Sequence, residues 1–197
     1  EVSEVLSRDS QGICAVARTE AIESVLPEIQ SWDTLVVIAQ GRDPGNVGTI
    51  IRTADAMGAR AIVSVKGSVD SSSPKVIRSS AGSVFHLPIV PAASFGEACQ
   101  TLRGMNAVIL GTSGAQGAYS LTSLMSYAAW ERRGWLAQTH AWVFGNEAQG
   151  MRQAEMAACD ALVMIPMSGK AESLNVASAA AMCLFASQSA RGGVAAL

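Results

Sequence analysis

Short runs of apolar, largely β-branched residues recur along the chain at Ile13 to Ala17, Leu35 to Ala39, Ala61 to Val65, Ala107 to Leu110, Trp142 to Phe144 and Leu162 to Ile165. Each is too brief for a helix and shows little polar alternation, which predicts strands buried on both faces. Apolar positions at helical spacing fill several gaps, at Val47 to Met57, Phe95 to Leu102 and Val176 to Ser187. Strand and helix alternate, so the predicted fold class is α/β, a mostly parallel sheet flanked by helices. On the first helix Val47, Ile50, Ile51, Ala54 and Met57 share the buried stripe, leaving Arg52 pointing away from the core. Gly48 lies four residues before Arg52 on the same side, which predicts open space beside the guanidinium, and Asn46 is the expected N-cap. The polar cluster Gly67 to Ser73 reads as a mobile loop.

Composition narrows the class. At 197 residues, 49% apolar and 15% charged, the chain can bury one full core. Residues 1–10 read as a linker or remnant ahead of one domain over 11–197, and Glu1 to Asp9 lacks the residue order of a secretory signal. No apolar run reaches the roughly 20 residues of a membrane-spanning helix. Cys14, Cys99, Cys159 and Cys183 form no C-x-x-C pair, and His86 and His140 stand alone. No metal site is expected, and the thiols read as reduced and mostly buried in a cytoplasmic protein. A net charge of −2 excludes a broadly basic surface, so any nucleic-acid site must be local. Arg42 with Arg52, Lys75 with Arg78, and Arg132 with Arg133 are the candidates, each of which also reads as ordinary solvated charge. No G-x-G-x-x-G follows the first strand and no P-loop is present, which excludes both nucleotide-binding frameworks.

Three segments combine a strand end with Gly, Pro or Asn and a following helix or turn. They are Gly45-Asn46-Val47-Gly48 to Arg52, Phe144-Gly145-Asn146-Glu147-Ala148-Gln149-Gly150, and Ile165-Pro166-Met167 to Glu172-Ser173-Leu174-Asn175-Val176. In a parallel sheet, ligands gather at the strands' carboxyl ends. Each residue also has a plain structural reading. Arg52 can pair with Asp55, Asn46, Ser173 and Asn175 can cap helices, Glu147 can be an exposed carboxylate, and Gly111, Gly145 and Gly150 can serve tight turns.

In this order and spacing, from about Gln11 to Phe185, the three segments resemble the signature motifs of the SpoU (TrmH-like) family of RNA ribose 2′-O-methyltransferases, within the knotted SPOUT superfamily. The resemblance implies a C-terminal deep trefoil knot, a homodimer, and S-adenosylmethionine held largely by backbone groups. The cofactor loops it implies are Leu110, Gly111 and Thr112; Gly145 to Gly150 with Asn146 and Glu147; Ile165, Pro166 and Met167; and Ser173, Leu174, Asn175 and Val176. Asn46, Arg52, Glu147, Ser173 and Asn175 match the family's polar active-site positions. Arg78 to Ser83, ahead of Phe85 to Pro88, corresponds to the mouth of the site; Ala177, Ala179, Ala180 and Ala181 give the last helix a small-residue surface for close packing within the core or across a dimer interface, and the resemblance favours the dimer.

A ribose hydroxyl is a poor nucleophile at neutral pH. Positioning can supply roughly 7–11 kcal/mol, whereas one general base supplies about 3–5 kcal/mol. Arg52 is then either a phosphate ligand that stabilises the developing alkoxide or the base proposed for this family. Ribosomal RNA is the favoured substrate. A transfer-RNA enzyme and a non-catalytic RNA- or cofactor-binding module remain the alternatives.

Overall fold

The computed structural model describes residues 15–131, 133–146 and 149–192. Its strands are β1 (Thr34–Ile38), β2 (Ala61–Val65), β3 (Ile89–Ala92), β4 (Val108–Thr112), β5 (Tyr119–Ser120), β6 (His140–Phe144) and β7 (Ala161–Met164). They form one sheet in the order β3-β2-β1-β6-β4-β7-β5, every pairing parallel. The helices are α1 (Pro44–Ala56), α2 (Pro74–Ser79), α3 (Phe95–Gly104), α4 (Leu121–Glu131), α5 (Gln153–Ala157) and α6 (Val176–Gly192).

The central strands are apolar throughout because both of their faces are covered. Val36 and Ile38 of β1, with Trp142 and Phe144 of β6, join a core built with α1, α2, α4 and α6. Leu35 and Val37, with Ala141 and Val143, join a second core with α3 and residues around α5. The helix pair α1 and α6 runs parallel. Asn46, early in α1, meets Asn175 just before α6, and Arg191, late in α6, reaches the carbonyls of Met57 and Gly58 beyond α1.

A buried polar cluster fastens α6 to the amino end of β6. His140 Nδ1 lies 2.7 Å from the Gln138 carbonyl, and His140 Nε2 lies 2.7 Å from Ser187 Oγ, which accepts from Trp142 Nε1 at 2.8 Å. Burial holds the His140 imidazole down at about 4. It likewise pushes Cys159 up to about 12 and raises Cys99 and Cys183, as expected of inert core thiols.

Several expectations change. Of the strand foreseen at Ile13 to Ala17, residues 13 and 14 lie outside the described residues, and residues 15–17 are exposed without regular structure. They find no ladder, because the β3 edge is met by Glu23 instead, with Ser24 donating to the Ile89 carbonyl at 2.9 Å. The loop from Gly67 to Ser73, read from its polar composition, is hydrogen-bonded to the end of β1. Val69 N donates to the Gly41 carbonyl at 2.8 Å, and Ser68 Oγ donates to the Ile38 carbonyl at 3.1 Å. Strand β3 escaped the pattern because Pro91 interrupts it, a residue tolerated at a sheet edge.

Candidate active site

Helix α1 starts earlier than its apolar pattern. Pro44 occupies the first helical position, where no amide hydrogen is needed, and Asp43 is the N-cap, its Oδ1 accepting from Asn46 N at 2.8 Å. That bond, with Lys75 Nζ at 3.7 Å from Asp43 Oδ2, holds the Asp43 carboxyl below its usual range. Asn46 is therefore not the cap, and its side chain serves elsewhere. Its Oδ1 accepts from Asn175 Nδ2 at 3.0 Å, a bond spanning 129 residues of sequence. Asn175 does two things with one amide, because its Oδ1 also caps α6 by accepting from Ala177 N at 2.9 Å and Ser178 N at 3.2 Å. Ser173 does not cap. It lies exposed ahead of Asn175, too far upstream to meet the helix's first free amides.

Arg52 is exposed and, among the described residues, makes no hydrogen bond or ion pair. The Asp55 carboxylate with which it could have paired lies instead 3.2 Å from His86 Nδ1. The open space expected at Gly48 does not exist. A Cβ there would overlap Ser79 Oγ and stand 2.8 Å from the Val76 carbonyl oxygen, so glycine lets α2 press against α1. Six residues of helix turn about 240° from Asn46 to Arg52, whereas Gly48 and Arg52 differ by only about 40°. Within one chain, Arg52 therefore emerges on the α2 flank of α1, away from the flank where Asn46 meets Asn175.

Strands β6, β4 and β7 are neighbours, so the loops leaving their carboxyl ends lie side by side. Gly145 is required by packing, since a Cβ would stand 2.5 Å from the Gly150 backbone. The loop closes on itself through Asn146 N to the Gly150 carbonyl (3.0 Å) and Gly150 N to the Asn146 carbonyl (2.8 Å), with Gly150 at φ +68°. Gly111 is likewise filled by protein, its missing Cβ replaced by Cys159 Sγ and Leu162. Both glycines are explained by close packing rather than by the tight turns expected of them. Leu110 is wholly buried, paired between β6 and β7, and Thr112 Oγ1 donates to the Val143 carbonyl at 2.9 Å. Ile165, Leu174 and Val176 are half-buried, Pro166 is exposed and Met167 is 45% exposed. Glu147 and Ala148 lie outside the described residues. Neutral and apolar side chains beside adjacent loop backbones suit S-adenosylmethionine, which needs an apolar shelf for its purine and peptide groups for its polar edges.

Among the cations, Arg42, Arg78 and Arg133 are exposed, Lys75 is engaged by Asp43, and Arg132 lies outside the described residues. A cleft of about 570 Å³ opens at the β2 and β3 edge, lined in part by Lys66, Asp70 and Glu97. It contains none of the expected site residues. Among the described residues, no group of three His, Cys, Asp or Glu could hold a metal ion, and no helix is long and apolar enough to cross a membrane. Sequence reasoning missed Asp43, although Asp before Pro is a helix-start signal, and it missed the His86 bond to Asp55, which no local pattern announces.

Comparison with known proteins gives a consistent picture. The model of the SpoU rRNA Methylase family matches residues 33–185. The 23S rRNA (guanosine-2′-O-)-methyltransferase RlmB of Nitrosomonas europaea is 34% identical over 179 residues, covering 89% of this chain and 65% of the relative. The 23S rRNA (guanosine(2553)-2′-O)-methyltransferase RlmP of Bacillus subtilis is 32% identical over 188 residues, covering 92% and 70%. Among solved structures, the SpoU methyltransferase AviRb of Streptomyces viridochromogenes in complex with AdoMet superposes with a TM-score of 0.72 at 31% identity, covering 87% of this chain and 64% of that one. The chain thus spans about two thirds of the length of these relatives.

Proposed function

The chain belongs to the SpoU rRNA Methylase family, and on that premise we propose that it transfers a methyl group from S-adenosylmethionine to a ribose 2′-hydroxyl of RNA, ribosomal RNA in the first place. The observation that carries the reading is the Asn175 to Asn46 hydrogen bond, which joins the first and third motifs at the carboxyl end of the sheet. When bound, the cofactor supplies an electrophilic methyl on sulfur, and the protein's task is alignment. Asn146, the strand-end loops and the segment from Ile165 to Val176 hold the cofactor. Asn46, Ser173 and Asn175, with Glu147, orient the ribose. Arg52, unengaged by any described carboxylate, takes the adjacent phosphate and stabilises the oxygen as it loses its proton, a role that fits a guanidinium better than proton abstraction does.

The position of Arg52 bears on assembly. A homodimer in which a second copy approaches the outer face of α1 and α6 would bring the separated flanks to one RNA. Support comes from Met182 and Phe185, 43% and 55% exposed, which with Ser178 form one outward stripe on α6. Ala177 and Ala180, expected at such a surface, are buried inside the core, so the stripe rather than the alanines is the interface in this reading. The trefoil knot belongs to the same proposal. It is supported by the return of the segment before α6 from the far side of the sheet to the start of α1. Ribosomal RNA as substrate sets the reaction in the cytoplasm.

The test is transfer of labelled methyl groups to ribosomal and transfer RNA, with the product mapped to the ribose. Labelling at 2′-oxygen that vanishes in Arg52→Ala supports the reading. Cofactor binding without transfer to any RNA would favour a binding module instead.

A further inference from the structure

Two side chains beside the site have no part in the scheme above. Gln40 and Glu155 are 8% and 6% exposed, and Gln40 Nε2 donates to Glu155 Oε1 at 2.6 Å across 115 residues of sequence. The other carboxylate oxygen, Oε2, accepts from Arg152 N at 2.8 Å. Among the described residues, no salt bridge reaches Glu155. An apolar pair of similar size would fill the same space at lower desolvation cost. What the polar pair adds is direction, because both partners must hold one geometry to keep their bonds.

The places of its two anchors give that direction a use. Gln40 lies between the end of β1 and the start of α1, the helix that carries Asn46 and Arg52. Arg152 follows Gly150, where the middle loop closes on itself. On the methyl-transfer reading, we propose that Glu155 is a positioning residue, fixing through Gln40 the separation between the Gly145 to Gly150 cofactor loop and the base of the Arg52 helix. It touches neither cofactor nor RNA. Its loss loosens both anchors together and lets the methyl group and the ribose drift relative to one another.

Glu155→Ala, Glu155→Gln and the swap Gln40→Glu with Glu155→Gln separate this role from simple core stability. In the swap, the amide at 155 donates to the new carboxylate at 40 while its oxygen still accepts from Arg152 N, so both bonds return. Calorimetry with S-adenosylmethionine and steady-state methylation are run well below each variant's Tm. Glu155→Ala should raise the cofactor Kd about 10-fold and lower kcat by about 10- to 100-fold, with KM for RNA unchanged, as misplacement near 1 Å entails. The swap should recover most of both losses, and Glu155→Gln alone less. Hydrogen exchange on the free protein should quicken in residues 41–46 and 149–152 together in Glu155→Ala and return to wild-type rates in the swap. A lower Tm with cofactor Kd, kcat and exchange in residues 41–46 unchanged would overturn the proposal. A wild-type chain that binds no cofactor would instead sink the methyl-transfer reading, while the exchange pattern would still decide whether the two anchors are coupled.

Discussion

At its amino-terminal end α1 meets α6 through two neutral amides near the surface, Asn175 donating to Asn46 at 3.0 Å. At its other end, the same helices meet through a half-buried cation, with Arg191 Nη1 and Nη2 donating at 3.1 and 2.9 Å to the carbonyls of Gly58 and Met57. The difference follows from what each end has to leave free. A helix carboxyl terminus presents unpaired carbonyls and partial negative charge, so a guanidinium there satisfies both and can be partly desolvated. Burial lowers the Arg191 pKa, and nearby Asp33 opposes that effect. On the proposed function the amino end faces an anionic polymer and a cationic cofactor, and uncharged amides hold it together without favouring either. One end is built for stability and the other for access.

This contrast can be broken most sharply on the functional side. Arg52→Ala should lower kcat/KM for RNA about 1000-fold, or about 4 kcal/mol, with Tm unchanged, because the side chain engages no described residue. A fall in Tm of several degrees would place Arg52 in the framework instead. The supporting end should fail with acid. His140 is held neutral at about 4 in the folded state, while the unfolded chain protonates it near its ordinary value of 6.5. Stability should be full above pH 6.5 and fall by about 3 kcal/mol as the pH drops to 4. Urea unfolding of wild type and His140→Gln at pH 7 and 4.5 reads this slope, which the variant should lack. Arg191→Ala should cost about 2 kcal/mol by leaving two carbonyls unpaired, yet retain methyl transfer below its Tm. Asn175→Asp sharpens the comparison most finely. It keeps the capping acceptor and removes the donor to Asn46, so transfer should fall about 10-fold while stability changes by less than about 1 kcal/mol. Equal loss of stability and activity would mean that this end, too, is merely structural.

Much of the framework was legible because burial on two faces leaves a continuous apolar signature. Leu35 to Ala39 and Ala61 to Val65 fell on observed strands, and Val176 marked the first residue of α6. The two-residue strand β5 and the five-residue helix α5 carry too few positions for a period to register. Strand order was not legible, since β6 enters the sheet between β1 and β4 through contacts among residues far apart in sequence. The site divides the same way. Asn46, Asn175 and Arg52 were singled out by motif, but the bond between the two asparagines depends on which flank of α1 faces α6, which no local spacing encodes. Gly48 shows how a correct choice of residue can carry the wrong reason, because an absent side chain marks either a void or a close neighbour, and here it is Ser79. Gln40 and Glu155 read as unremarkable polar residues until the fold buries them together.

The Asn46 to Asn175 bond also sets a clock on synthesis. Its partners are 129 residues apart, so at about 5–20 residues per second the ribosome delivers the second roughly 6–26 seconds after the first. For most of that interval the emerging polypeptide already carries the residues of the Arg52 helix but not the third motif that would complete the pocket. On the proposed function, a nascent chain in this state lacks the completed pocket that methyl transfer requires.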